Sequence, residues 1–132
     1  MKIYKLPVKS KYVLGEAYAR PTEIKGISIH HSLFGISLSL TGTLMIRSGF
    51  HWDGASGPAV DIKEFMRPSL VHDALYILMR DRFLSADYRE YADQLLREMC
   101  LEEGMSEWYA NLVYYSVRKF GGNALKKKMK LL

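Results

Sequence analysis

The spacing of apolar residues changes period part way along the chain, and that change limits the fold more than any other feature. Before residue 48 the runs KIYKL, KYVLGEAYA, KGISIHH and GISLSLTGTLMIR are rich in β-branched and aromatic residues. ISLSL alternates apolar and polar positions, the period of a strand with one buried face. Gly15, Pro21, Gly26, Gly35 and Gly42 break these runs as turns do. From Pro68 onward the period is helical. Proline suits a first turn, where its missing N–H is not needed, and the pattern predicts a helix over 68–82. Ser85 is a good N-cap and Gly104 a good C-cap for a second helix. Its apolar positions Tyr88, Tyr91, Ala92, Leu95, Leu96 and Met99 keep helical spacing. Ser106 and the pair Gly121 and Gly122 bound a third helix.

Strands followed by helices predict an α+β class: a small antiparallel sheet from the N-terminal half with about three C-terminal helices packed on it. The 132 residues suit one core, so 1–132 reads as a single domain, with 123–132 as a basic C-terminal tail. Between the halves lies SGFHWDGASGPAVDIKEFMRP, a long irregular connection of the kind that often carries function. Its part over 49–58 is expected to fold over the helix that carries His72.

Composition excludes several classes. No apolar run approaches the roughly 18 residues needed to span a membrane. The opening MKIYKLPVKSKY lacks the apolar core and small-residue cleavage site of a signal peptide. Cys100 is the only cysteine, so no internal disulfide can form. These features predict folding in a reducing cytoplasm, without a disulfide framework. The formal net charge is +5, and Lys126, Lys127, Lys128 and Lys130 supply part of it. With Leu125, Met129, Leu131 and Leu132 interleaved, that tail suits an anionic membrane or phospholipid, or is simply a solvated terminus. No nucleic-acid motif is present, so nucleic acid is not an expected partner.

Chemistry concentrates in SLVHDALY, residues 69–76. His72 and Tyr76 are four apart and share a helix face. Asp73 lies about 100° around the helix, so it cannot orient His72. Asp93 on the next helix can, since antiparallel neighbours bring such positions together. His72 with Asp93 would then be a base and its orienting carboxylate, leaving Asp73 to a cation or a loop. Against this, Arg89, Asp93 and Arg97 are spaced four apart, as in a surface ion-pair stripe. His72 and Asp73 equally fit a buried polar network that ties helix to loop. DGASGP is not a nucleophile elbow, because its second glycine comes one residue early, and Ser56 reads as a turn residue. His30 and His31 point to opposite faces of a strand. His51 flanks the loop as a lone metal-ligand candidate. Trp108, Tyr109, Tyr114 and Tyr115 read as core and interface.

The order GFHWDGASGP, LVHDALY, YREYADQLL and VRKFGG resembles a family of short phage and prophage proteins, a domain of unknown function, over residues 44–122. The resemblance implies a viral or prophage origin, with residence in the bacterial host cytoplasm or in a virion, and no particular activity. LVHDALY also resembles the active-site helix of secreted phospholipases of the A-two type, where a His-Asp pair is followed by Tyr at the same spacing. That likeness implies that His72 activates water and that Asp93 and Tyr76 hold the imidazole. It also implies that Asp73 binds calcium with loop carbonyls over 53–57, around Asp53, Gly54, Ser56 and Gly57. The disulfides and the richer glycine loop of those enzymes have no counterpart here.

Three readings follow. One is a metal-assisted hydrolase acting on an ester lipid. The second is a non-enzymatic virion accessory or host-interaction protein, partnered by phage or host protein, in which the His-Asp pair is a brace. The third, a His-Asp metal phosphohydrolase, would need a further upstream histidine in a wholly helical bundle.

Overall fold

The computed structural model describes residues 2–5, 12–53 and 62–126. The chain is α+β and divides into two compact units, Met1–Asp53 and Gly54–Leu132.

Among the described residues the first unit holds seven short strands: β1 (Ile3–Lys5), β2 (Tyr12–Leu14), β3 (Tyr18–Pro21), β4 (Ile29–His31), β5 (Ile36–Leu38), β6 (Thr43–Ile46) and β7 (His51–Trp52). They pair antiparallel in two sheets, in the orders β1-β2-β7 and β3-β6-β5-β4. The run KYVLGEAYA therefore serves both sheets. It bends at Gly15 and Glu16, so β2 and β3 leave in different sheets. The alternation in ISLSL is realised: Ile36 and Leu38 are buried on either side of a half-buried Ser37. Leu44 and Ile46 join them in the core, while Met45 between them is exposed. The β5–β6 turn requires Gly42. Its φ is +95°, and a Cβ there would stand 2.5 Å from the Thr22 carbonyl oxygen. His31 is buried and His30 exposed, on opposite faces as their adjacency requires.

The second unit is helical. A 3-10 turn over Lys63–Phe65 leads into α1 (Met66–Arg80), and a second over Ala86–Tyr88 into α2 (Arg89–Glu102). Then comes α3 (Glu107–Phe120), followed by a 3-10 segment over Gly121–Lys126. The caps are those the sequence marks. Ser85 Oγ accepts from Asp87 N, and Ser106 Oγ accepts from Tyr109 N. Gly104 takes φ +97° behind α2, and Pro68 lies in the first turn of α1. The predicted end of α1 at 82 falls two residues late, because Arg82 adopts φ +66° and its N–H turns back to the Met79 carbonyl.

Successive helices run antiparallel, as their side-chain ties require. Arg67 at the start of α1 pairs with Glu103 just past the end of α2 at 3.0 Å. Arg97 on α2 donates to Asn111 on α3. Phe65, Leu96, Cys100, Met105, Ala110 and Val113 form one apolar cluster between these elements. In α1, ten of 15 residues are buried, which explains why its sequence is apolar on most sides. Two polar side chains of that helix, Ser69 and His72, are buried with the rest.

Candidate functional site

Asp93 is fully buried in α2, and the second unit is arranged around its carboxylate. From α1, His72 Nε2 stands 2.7 Å from Oδ1, and the Tyr76 hydroxyl donates to the same oxygen at 2.7 Å. From α3, Arg118 donates to Oδ2 at 2.8 Å. Arg89, one helical turn before Asp93, lies 3.9 Å from Oδ2 and also donates to the Tyr76 hydroxyl at 3.1 Å. The other end of the Arg89 guanidinium caps α3, donating to the carbonyls of Val117 and Arg118 at 2.9 and 2.7 Å. Every donor is set by helical spacing. His72 and Tyr76 are four apart, as are Arg89 and Asp93, and Arg118 is in the last turn of α3.

Burial by itself would raise the Asp93 pKa. The hydrogen bonds from His72 and Tyr76, the nearby His72 charge and the bond from Arg118 outweigh it, and hold the carboxyl below its usual range. Tyr76 moves the other way. Burial, then its bond to the Asp93 carboxylate, pushes the phenol well above its usual range against a smaller pull from Arg89. Asp93 is therefore ionised and only accepts, which puts a proton on His72 Nε2. In the neutral imidazole the lone pair is then on Nδ1. Among the described residues Nδ1 has no hydrogen-bond partner, and no buried side-chain nitrogen or oxygen there lacks one. The His72 side chain as a whole is 10% exposed.

The structure brings His72, Tyr76 and Asp93 together. Tyr76 holds the carboxylate rather than the imidazole, its ring lying flank to flank with that of His72 at 4.2 Å between centroids. The surface-stripe alternative for Asp93 is overturned: Asp93 has no exposure, and Arg97 turns to α3 instead. Asp73 is half-buried and engaged with other groups. Asp53 is exposed at the end of the first unit, and Gly54, Ser56 and Gly57 lie outside the described residues, as does the rest of the expected loop cover over 49–58 from residue 54 on. Among the described residues no three His, Cys, Asp or Glu side chains group as metal ligands.

Three members of the cluster were not legible as such. Arg118 and Gly121 occur in VRKFGG, and Arg89 in the apparent stripe, but nothing local marks them as converging on one carboxylate. Gly121 has a steric role: a Cβ there would stand 2.7 Å from the Tyr76 hydroxyl. A groove of about 470 Å³ lined by Gln94, Arg97, Glu98, Leu101 and Tyr114 does not include His72.

A family model described as a protein of unknown function, DUF1353, matches residues 36–117, from β5 into the last turns of α3. No curated protein and no solved structure matches the chain.

Proposed function

The chain belongs to the DUF1353 family, and we propose that the Asp93 cluster serves a hydrolase in which His72 is the general base. The observation that carries this reading is the 2.7 Å contact of His72 Nε2 with the buried Asp93, which leaves Nδ1 as the ring nitrogen without a hydrogen-bond partner among the described residues. Nδ1 would take a proton from water as the water oxygen bonds to an ester carbonyl carbon. On collapse, the carbon–oxygen bond to the leaving group breaks, and the imidazolium returns the proton to the departing alkoxide. Asp93 keeps Nε2 protonated and stabilises the imidazolium while it exists. Tyr76, Arg118 and Arg89 position Asp93 and do not touch substrate.

An ester lipid is the substrate class we favour. The spacing of His72, Asp73 and Tyr76 matches the phospholipase helix, and the carboxylate that should orient the base is at hydrogen-bond distance. A hard cation such as calcium would need Asp73, Asp53 and loop carbonyls together. Of that set the loop carbonyls from residue 54 on lie outside the described residues. The order of motifs supports a phage or prophage origin and action in an infected bacterium.

The test is hydrolysis by the purified chain of short-chain nitrophenyl esters and phospholipid vesicles, with calcium and with a chelator. His72→Gln should abolish turnover while circular dichroism stays unchanged, since glutamine can bond Asp93 but cannot take the proton. Turnover retained in His72→Gln, or absent for every ester in the wild type, would overturn the reading.

A second reading is favoured by a different observation. Asp93 on α2 collects donors from α1 and α3 and so ties the three helices together, which is what a structural brace does. In a non-enzymatic phage or host-interaction protein the cluster would serve that purpose alone.

A further inference from the structure

From the exposed face of α3 we infer that the chain docks on an anionic bilayer surface. Trp108, Leu112, Tyr115 and Lys119 follow one another at spacings of four, three and four, so they line one side of the helix. Trp108 is 74% exposed, Leu112 39% and Tyr115 67%. Phe120 beyond them is 64% exposed, with Lys119 Nζ 5.4 Å from its ring centroid. The opposite side of α3 is already used, by Ala110 and Val113 in the apolar cluster and by Arg118 on Asp93. A folded surface seldom leaves a row of large apolar side chains in water without a partner. Tryptophan and tyrosine also suit the boundary between lipid and water, apolar in body and polar at one end.

Charge selects the occupant. From residue 108 to the end the sequence has no Asp or Glu and six Lys and Arg: Arg118, Lys119, Lys126, Lys127, Lys128 and Lys130. The remainder carries 13 Lys and Arg against 14 Asp and Glu, so the whole excess of positive charge belongs to the segment with the exposed aromatics. An apolar face with lysines at one end and beyond matches an acyl boundary under anionic headgroups. A nucleic-acid track would place cationic side chains along the face itself, where here there is one. This inference stands apart from the hydrolase reading, because Trp108, Leu112, Tyr115, Lys119 and Phe120 make no hydrogen bond or ion pair with His72 or Asp93.

The experiment is co-sedimentation of the full chain with vesicles of phosphatidylcholine alone and of phosphatidylcholine with phosphatidylglycerol, read with tryptophan emission. Trp52 is buried and Trp108 exposed, so Trp108 reports contact. We expect partition onto the phosphatidylglycerol vesicles with a blue shift, weakening as salt rises. Lys119→Gln and Lys126→Gln should each weaken partition about fivefold. Trp108→Ala should remove the blue shift and leave the fold intact. Vesicle binding by His72→Gln should equal that of the wild type, which separates loss of docking from loss of hydrolysis. The inference is overturned by equal partition onto phosphatidylcholine alone, by no partition at all, or by lysine variants that bind unchanged. A dimer that shields Trp108 without vesicles, or binding to single-stranded DNA with none to vesicles, overturns it as well.

Discussion

A buried aspartate surrounded by two arginines, a tyrosine and a histidine is costly to disturb, because its partners were chosen for a charge. Asp93→Asn keeps the shape of the side chain but turns an NH2 group toward donors and leaves Arg118 without its counter-charge. We expect a loss of about 3 kcal/mol in denaturant unfolding, and, if the hydrolase reading holds, turnover lower than stability alone explains. The same residue sets an acid limit. An ordinary aspartate titrates near 3.8, and in the fold the Asp93 value is lower, so the unfolded chain takes up this proton first as pH falls. The stabilisation is complete well above 3.8 and is lost progressively below it, as pH drops toward the folded value. Tyr76 gives the converse at high pH. Its ordinary value is 10.0 and its folded value higher, so its contribution is complete below 10.0 and declines as pH rises beyond it. Unfolding midpoints measured across pH for the wild type, Asp93→Asn and Tyr76→Phe check both: each variant should flatten its own limb of the profile.

At the scale of elements, the cluster joins three helices, chiefly through side chains. Arg89 supplies a cap to α3 from another helix, donating to the Arg118 carbonyl in the last turn and to the Val117 carbonyl, which also accepts from Gly121 N. The turn after α3 packs so closely on Tyr76 that residue 121 has no room for a side chain. Gly121→Ala should therefore cost about 2 kcal/mol, because the hydroxyl it strikes is held by both Asp93 and Arg89. In a Tyr76→Phe background the same change should cost much less, since the struck atom is gone. A double-mutant cycle in thermal or denaturant melts measures the coupling. Equal costs in both backgrounds would place the origin of the effect elsewhere.

At the scale of the whole molecule, Cys100 offers a reporter of opening. It is fully buried in the apolar cluster with Phe65, Leu96 and Met105, and burial, helped by nearby Glu103, pushes its thiol up to about 12. Only the thiolate reacts, so native protein should resist an aromatic disulfide reagent near neutral pH and react at the rate of a free thiol once unfolded. The labelling rate across denaturant should track the unfolding transition seen by circular dichroism. Fast labelling under native conditions would mean that α2 and α3 part locally.

Periodicity and caps by themselves determined the class and most of the boundaries. Alternation in ISLSL, the serine caps at Ser85 and Ser106 and the stop at Gly104 act through neighbours in sequence, and such effects survive in any context. The pairing of His72 with Asp93 was also legible, because two adjacent antiparallel helices leave few partners within reach. What sequence could not decide was whether Asp93 faced water or core. Its spacing from Arg89 and Arg97 is the same in both cases, and only the packing of α3 closes the site. The division of KYVLGEAYA between two sheets depended on which strands could pair at a distance. The convergence of Arg118, Arg89 and Gly121 on one carboxylate and one phenol joins residues up to 45 positions apart, from Tyr76 to Gly121. No local preference encodes such contacts. They exist because burying one charge obliged the fold to gather every donor that could satisfy it.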